Sequence, residues 1–207
     1  MWDTLHPSLQ ADALVLDNTV RNRGAAGSRN VGARMLSEYG YDWLIDISPV
    51  TRFGPSGGLD FVAQVEAEQD SWIVQASTPV NWHLCGWSRR LFERVGLFDE
   101  NMHPVYGEDG DLAHRVHVAA TEDVKPDAWA CIDVDAWVTM YGHAQRLAGV
   151  QVDMERTIRY FDAKWGSGAW AGALKFDRPF GDERLPLSFW PTPPDPRAVQ
   201  HEGWAIR

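Results

Sequence analysis

The segment GWSRRLFERVGLFDE at residues 86–100, followed by HPVYGEDGDLAHR at residues 103–115, carries the strongest pattern in this chain. Its first part predicts a strand, a short helix and a tight helix end. Ser88 is a good N-cap residue for that helix, and Gly96 suits the left-handed position that follows a helix. One apolar face of the helix is formed by Leu91, Phe92 and Val95.

The second part predicts a further helix that begins with three acidic residues in four positions, Glu108, Asp109 and Asp111. Acidic side chains at a helix start are stabilised by the helix dipole. The same cluster also suits a carboxylate that is held at the edge of a cleft and takes a proton. The residue pattern by itself leaves both interpretations open.

Together the two segments resemble the C-terminal half of the catalytic domain of family 2 glycosyltransferases of the GT-A fold. That family shows a small-residue strand, a helix and turn of the form RR-x-F-E-x-V-G-x-F-D-E, and a helix of the form E-D-x-D-L-x-x-R. Almost every position matches here. The resemblance implies that Asp109 is the general base. It also implies that Glu108 and Asp111 are supporting acids, with Arg115 pairing with them.

Composition limits the classes of protein that the chain can represent. With 207 residues, 44% of them hydrophobic and 23% charged, it fits one soluble globular domain. The net charge of −10 argues against a nucleic-acid partner. A nucleotide ligand stays possible, because a divalent cation can mask a diphosphate. No apolar run approaches a membrane span and no signal peptide is apparent, so we expect a cytoplasmic protein.

The cysteines and tryptophans give weaker indications. Cys85 and Cys131 lack the spacing of a disulfide framework or a metal site, and both lie in apolar strand-like segments. We expect them to be buried free thiols. Eleven tryptophans is a high number, and core packing is the main interpretation. The alternative is that some of them line a sugar site; the candidates are Trp82, Trp87 and Trp170.

Predicted strands alternate with predicted helices along the chain, which indicates an α/β domain. The strands are expected at residues 13–16, 43–47, 72–76, 129–132 and 137–140. Helical patterns are expected at 4–11, from the glycine-rich segment 22–32 to about Tyr39, around 59–65, and over 150–165. Residues 49–58 are rich in Gly and Pro and predict a loop.

The resemblance implies a three-layer α/β/α GT-A (Rossmann-like) domain with a mainly parallel central sheet, here over residues 1–176. It extends to the ending FDAKW at 161–165, which matches the family's F-x-x-K-W. The proline-rich residues 177–207 predict an arm packed on the domain or on a partner. The family's first, central strand has no counterpart, since 13–16 matches its second strand. We therefore expect one of two arrangements. Either the natural protein begins upstream of Met1, or the position of the missing strand is filled by the arm or by a second copy of the chain in a homo-oligomer.

The segment NRGAAGSRNVG at 22–32 predicts a glycine-rich loop that enters a helix. Such a loop lets a backbone approach a ligand and offers N–H groups to an anion, although a plain tight turn has the same pattern. It resembles the family's N-x-G-x-x-x-x-R-N-x-G segment beside the donor nucleotide. The nucleotide-binding residues that the resemblance implies are Asp17, Asn22, Gly24, Arg29 and Asn30.

A metal site is implied at Asp46, where the family has Asp-x-Asp at the end of a buried strand. Mn²⁺ or Mg²⁺ would bind there across the donor diphosphate, because hard cations prefer oxygen ligands. Ser48 replaces the second acid, so weak binding is expected. The family also places a histidine near the metal or phosphates, and His143 corresponds to it. The alternative for Asp46 is an acid that caps a loop at the strand end.

The predicted activity is that of an inverting, metal-assisted hexosyltransferase, which moves a sugar from a nucleotide-diphosphate donor to an unknown acceptor hydroxyl. A UDP-sugar is the first choice of donor. One alternative is a GT-A-like binding or structural module with little catalysis. A metal-dependent hydrolase that uses His114 and His117 is disfavoured, since helical spacing turns His117 away from Asp109 and no H-E-x-x-H pattern occurs.

Overall fold

The computed structural model describes residues 2–13, 24–77, 80–102, 106–139 and 154–166. Its α-helices are α1 (Pro7–Asp12), α2 (Gly24–Tyr39), α3 (Gly57–Ala67), α4 (Arg89–Val95), α5 (Glu108–Glu122) and α6 (Met154–Trp165). Its strands are β1 (Trp43–Ile47), β2 (Thr51–Phe53), β3 (Ile73–Ala76), β4 (Leu84–Ser88), β5 (Trp129–Ile132) and β6 (Ala136–Val138). The predicted α/β class is confirmed.

The main sheet has the strand order β1-β4-β3-β5. β4 is antiparallel to both of its neighbours, whereas β3 and β5 are parallel. It follows that β1, β3 and β5 run in one direction and β4 runs in the other. The sheet is mixed, and the prediction of a mainly parallel sheet is wrong at β4, which lies in its middle.

A second, two-stranded sheet pairs β2 with β6. It corrects the prediction that residues 49–58 form a loop, because this stretch holds β2 and the first two residues of α3. β2 is only three residues long, and its partner β6 lies far along the chain. The strand therefore depends on pairing across the fold rather than on a local pattern.

Alternating side chains of the main sheet enter two apolar clusters. Ile73, Cys85 and Trp87 pack in one cluster with side chains of α4 and α5, including Leu91 and Leu112. The neighbouring residues Val74 and Leu84 pack in the other cluster with Phe61 and Val65 of α3. This alternation follows from the two-residue period of a strand.

Two glycines and one serine fix the geometry around β4. A Cβ atom at Gly86 would lie 2.9 Å from a methyl of Val65, so glycine allows α3 to pack directly on the strand. The Ser88 hydroxyl accepts a hydrogen bond from the Leu91 N–H at 3.2 Å, which confirms the predicted N-cap. Gly96 ends α4 with φ +77° and an extended ψ, a conformation that only glycine adopts readily.

The segment predicted as a glycine-rich loop is mostly helix. α2 begins at Gly24, so residues 24–32 are helical, and only the end of the helix before Gly40 is as predicted. A Cβ atom at Gly32 would lie 2.8 Å from Leu44 Cδ1, which shows that α2 packs closely on β1. Gly32 thus serves helix-to-strand packing.

The two cysteines differ in burial. Cys85 is buried as predicted, but Cys131 is exposed, because β5 is the last strand of the described sheet. Trp87 is fully buried and stacks on Trp82 at 5.6 Å between ring centroids, as core packing requires. Trp170 lies outside the described residues.

Several predictions fall on residues that the structure does not describe: nearly all of the strand at 13–16, the question of a missing first strand, and the arm at 177–207. Within the described ranges, no helix is long and apolar enough to cross a membrane.

Candidate functional site

Arg29 of α2 joins the end of β1 to the start of α5. Its Nε donates to Asp46 Oδ2 at 2.7 Å, and its Nη1 donates to Glu108 Oε1 at 3.0 Å. Burial alone lowers the pKa of Arg29, but the attraction of Asp46 and Glu108 outweighs it and raises the pKa, so the guanidinium stays charged. We call Arg29, Asp46 and Glu108 the arginine cluster.

Glu108 is the buried acid of the cluster, with 6% of the residue exposed. Burial raises its pKa; Arg29 opposes this effect and the neighbouring charge of Asp109 adds to it, so the net direction is upward. Oε1 is held by Arg29. Oε2 is buried and has no hydrogen-bond partner among the residues that the structure describes.

Asp109, the next residue, has a more open environment. It is partly exposed, and its Oδ1 accepts a hydrogen bond from the Gly110 N–H at 2.8 Å. Oδ2 makes no hydrogen bond to any described residue. Asp109 follows Glu108, a member of the arginine cluster, in the first turn of α5. Asp109 therefore has an oxygen available to a ligand.

Asp111 belongs to the core. It is fully buried, and its Oδ2 accepts from Arg115 Nε at 2.9 Å. Its Oδ1 accepts from Trp165 Nε1 at 2.8 Å and lies 2.7 Å from Lys164 Nζ. With both oxygens occupied, Asp111 connects α5 to α6, and its position is that of a structural support for the start of α5. Arg115 Nε forms an ion pair with Asp111 Oδ2.

Residues near the end of α6 bind two acids, Asp99 in the turn after α4 and the buried Asp111 in α5. Lys164 Nζ lies 2.7 Å from Asp99 Oδ2 as well as from Asp111, and the Tyr160 hydroxyl donates to Asp99 Oδ2 at 2.6 Å. Sequence analysis matched this helix end to a family pattern but did not identify these contacts. The only signal was a lysine beside an apolar helix face.

Asn30 also has a structural position. Its Nδ2 donates to the Phe98 carbonyl at 2.9 Å and to Glu100 Oε1 at 2.8 Å, and its Oδ1 accepts from the Phe98 N–H at 2.8 Å. Both amide hydrogens are used in holding the turn after α4. Asn30 therefore has no free N–H for a nucleotide in this arrangement.

Of the remaining predicted nucleotide and metal ligands, only Gly24 lies within the described residues. Gly24 is buried at the first position of α2 with φ +70°. Asp17, Asn22 and His143 lie outside the described residues. The structure thus brings Arg29, Asp46 and Glu108 together, with Asp109 next to Glu108 in the chain, and the side chains of Asn30 and Asp111 make contacts within the fold.

The donor atoms near Asp46 do not make a complete metal site. Oδ2 of Asp46 is held by Arg29, which leaves Oδ1 and the nearby Ser48 hydroxyl. In the described part of the chain, no group of three or more His, Cys, Asp or Glu side chains could hold a metal ion. One carboxylate oxygen suits a cation that arrives bound to phosphates, as Mg²⁺ commonly does.

The histidines of α5 do not join the cluster. His114 is buried, with its ring 4.2 Å from the Trp165 ring, and burial lowers its pKa to about 4. His117 is exposed. Because these side chains lie in different environments, the two histidines do not support the hydrolase alternative.

No family model, no curated protein and no solved structure matches this chain. The arginine cluster, Asp109 and the motifs around them are therefore the features of this chain that bear on its function.

Proposed function

We propose that this protein is a glycosyltransferase of the GT-A type, which transfers a sugar from a nucleotide-diphosphate donor to an acceptor hydroxyl with inversion. The observation that carries the proposal is the position of Asp109. It is a partly exposed carboxylate whose Oδ2 has no hydrogen-bond partner among the described residues, and it directly follows Glu108 of the arginine cluster at the start of α5. Open α/β sheets bind ligands at the carboxyl ends of their parallel strands.

The architecture supports this proposal. Strands β1, β3 and β5 run in one direction, and the two apolar clusters include side chains from α4 and α5 on one side and from α3 on the other. Helices that pack on both faces of one sheet support the proposed three-layer domain. Asp111 is buried and contacts Trp165 and Lys164 of α6. These contacts hold in place the first turn of α5, which carries Asp109.

In the proposed reaction, Asp109 Oδ2 takes the proton of the acceptor hydroxyl. The acceptor oxygen forms a bond to the anomeric carbon of the donor sugar while the bond from that carbon to the diphosphate oxygen breaks. The electron pair leaves with the nucleoside diphosphate. A positioned general base contributes roughly 10²–10⁴-fold to the rate of such a step.

The predicted Mn²⁺ or Mg²⁺ remains part of the proposal, with Asp46 Oδ1 as its protein ligand and His143 as a second candidate. When bound, it would offset the charge of the diphosphate. This requirement has a basis in the charges of the site: the one guanidinium of the described cluster pairs with the carboxylates of Asp46 and Glu108, and Asp109 adds a third carboxylate next to Glu108. A diphosphate therefore needs positive charge beyond that of Arg29.

The test compares Asp109→Asn with the wild type and with Asp70→Asn, an exposed acid in a turn. Donor affinity is measured by titration with UDP and Mn²⁺, and transfer is measured with a panel of UDP-sugars and acceptors. We expect Asp109→Asn to lose roughly 10²–10⁴-fold in turnover, with donor affinity and melting temperature retained. Asp70→Asn should behave like the wild type.

Near-normal turnover in Asp109→Asn would exclude Asp109 as the base. A wild-type protein that binds UDP but transfers no sugar would favour the alternative of a GT-A-like binding module. Absence of nucleotide binding at any Mn²⁺ concentration would contradict the proposed function as a whole.

A further inference from the structure

Strand β1 lies at one edge of the described sheet, and only its side towards β4 is paired. The Arg89 N–H donates to the Asp42 carbonyl at 2.8 Å, and the Ser48 N–H donates to the His83 carbonyl at 2.8 Å. The hydrogen-bonded pairs between β1 and β4 therefore fall at even-numbered residues of β1. The odd-numbered residues direct their N–H and C=O groups away from β4, and these groups have no partner among the described residues: Trp43, Ile45 and Ile47.

The side chains of β1 do not block this edge. Natural proteins protect edge strands with Lys or Pro residues, inward-pointing charges, bulges or a covering segment. β1 reads Trp-Leu-Ile-Asp-Ile, pairs with β4 without a bulge, and is partly exposed along its whole length. Its only charge is that of Asp46, which is neutralised by Arg29 at 2.7 Å. An apolar edge of this kind favours pairing with another strand.

We propose that β1 pairs with β1 of a second copy of this chain, in antiparallel orientation about a two-fold axis at Ile45. The two four-stranded sheets then form one continuous sheet, with the two β1 strands in its middle. The same strand serves as both partners, as in the isologous interfaces of two-fold dimers. This inference uses only the backbone and the residue order of β1, so it does not depend on the proposed function.

The apolar side chains of β1 suit this pairing. Trp43 lies opposite Ile47 of the second copy, and Ile45 lies opposite its own copy. These three side chains share one face of β1, where they pack against the apolar cluster that contains Phe61 and Val65 of α3. Pairs of aromatic and β-branched side chains stabilise neighbouring strands. The dimer therefore joins the two copies of this cluster across the interface.

The acidic residues select the register. A two-fold axis at position 46 sets Asp46 opposite its own copy, and an axis at position 44 sets Asp42 opposite Asp46. Like charges directly opposite each other destabilise a pair of strands. The axis at Ile45 sets Asp42 opposite Ser48 and Asp46 opposite Leu44, so no like charges face each other. It is also the only one of the three that pairs all residues of β1.

The first measurement is the mass of the full-length protein by light scattering after size-exclusion chromatography, over a wide range of protein concentrations. About 0.15 M salt is used, because it screens the repulsion between copies of net charge −10. We expect a dimer, with twice the monomer mass of 23.3 kDa.

Ile45→Pro removes an N–H that β4 does not use, and proline is tolerated in edge strands at such positions. Ile45→Ala is the control, since it shortens the same side chain and keeps the N–H. The Ile45→Pro dimer should dissociate about 10–100-fold more readily than the Ile45→Ala dimer, because each copy loses one donor to the other.

The second measurement tests the register and does not require Ile45→Pro to fold. In the proposed dimer the two copies of residue 45 have Cα atoms about 5.5 Å apart, a distance that a disulfide spans. Ile45→Cys should therefore form a covalent dimer with oxidised glutathione, in a Cys131→Ser background because Cys131 is exposed. Trp43→Cys is the matched control. Its two copies would be about 14 Å apart, since they are offset by four residues, and should stay unlinked on a non-reducing gel.

A wild-type protein that keeps the monomer mass at every concentration would overturn the inference, because no second copy then covers the edge of β1. A dimer that Ile45→Pro weakens no more than Ile45→Ala would place the interface elsewhere and would also overturn it. So would a covalent link in Trp43→Cys without one in Ile45→Cys. Each of these results leaves the assays of Asp109 unaffected, so the proposed function is tested separately.

Discussion

Replacing Lys164 by methionine removes the cation that joins α6 to two buried carboxylates. Lys164 Nζ lies 2.7 Å from Asp99 Oδ2 and 2.7 Å from Asp111 Oδ1. The Asp111 side chain is fully buried and that of Asp99 is 12% exposed. Methionine has a similar length and keeps the apolar contacts of the side chain, so the change is mainly one of charge.

Removing one partner of a buried ion pair costs about 3–5 kcal/mol, because the other charge stays buried without compensation. Here both acids keep other partners: Asp111 keeps Arg115 and Trp165, and Asp99 keeps Tyr160 and the Asn101 N–H. We therefore expect the lower end, a loss of about 3 kcal/mol in the free energy of unfolding. For a chain of this size that is about 6–12 °C in melting temperature.

The assay is urea unfolding at pH 7, followed by tryptophan fluorescence. Lys125→Met is the matched control, since Lys125 pairs with Asp127, whose side chain is 59% exposed, and such pairs contribute about 1 kcal/mol or less. A loss below about 1 kcal/mol in Lys164→Met, with an unchanged slope against urea, would refute the argument from burial.

The same variant has a predicted pH dependence. Burial raises the pKa of Asp99, but Lys164, Tyr160 and the Asn101 N–H outweigh it, so the folded-state pKa lies below the ordinary value of 3.8. This contribution to stability is present above pH 3.8 and is lost as the pH falls through the folded-state pKa. Without Lys164 that pKa rises, so Lys164→Met should unfold in acid at a higher pH than the wild type.

Two further predictions concern packing and a buried histidine. Gly86→Ala should cost about 1–3 kcal/mol in urea unfolding, since its Cβ would lie 2.9 and 3.0 Å from the methyls of fully buried Val65. The control Gly110→Ala has only an ordinary contact at 3.6 Å and should be neutral or stabilising; equal losses in both would contradict the prediction. Burial lowers the pKa of His114 to about 4 from 6.5, so the unfolded chain binds the extra proton and stability should decrease as the pH falls from 6.5 to 4. His114→Gln should reduce this slope and His117→Gln should not, and an unchanged slope in His114→Gln would be evidence against the burial argument.

Elements with a local signature could be predicted from the sequence. Strand β1 has the predicted bounds, and Ser88 caps α4 as expected, because strand patterns and caps depend on adjacent residues. β2 was missed because three residues carry little pattern and β6 pairs with them from far along the chain. The direction of β4 has no local signature either, since a buried strand looks the same whichever way it runs.

In the candidate site too, the sequence predicts features that depend on adjacent residues and misses those that depend on contacts across the fold. The sequence indicated that the acids at the start of α5 belong to a functional site, but the residue pattern alone did not distinguish a buried structural acid from an exposed one. Residues of α6 make the difference, since Lys164 and Trp165 contact the carboxylate of Asp111. Arg29 was predicted to contact the nucleotide, and its pairing with Asp46 and Glu108 depends on how α2, β1 and α5 meet.

The central position of β4 has a consequence for synthesis on the ribosome. β1 and β3 both pair with β4 and not with each other, so a nascent chain that ends before Leu84 contains both strands without a partner in the described sheet. Their backbone N–H and C=O groups then stay exposed to other chains, which is the condition that favours aggregation. A pause in translation shortly after residue 88 has emerged would give β4 time to enter between them. The yield of soluble protein should therefore be more sensitive to the translation rate there than at the end of β5.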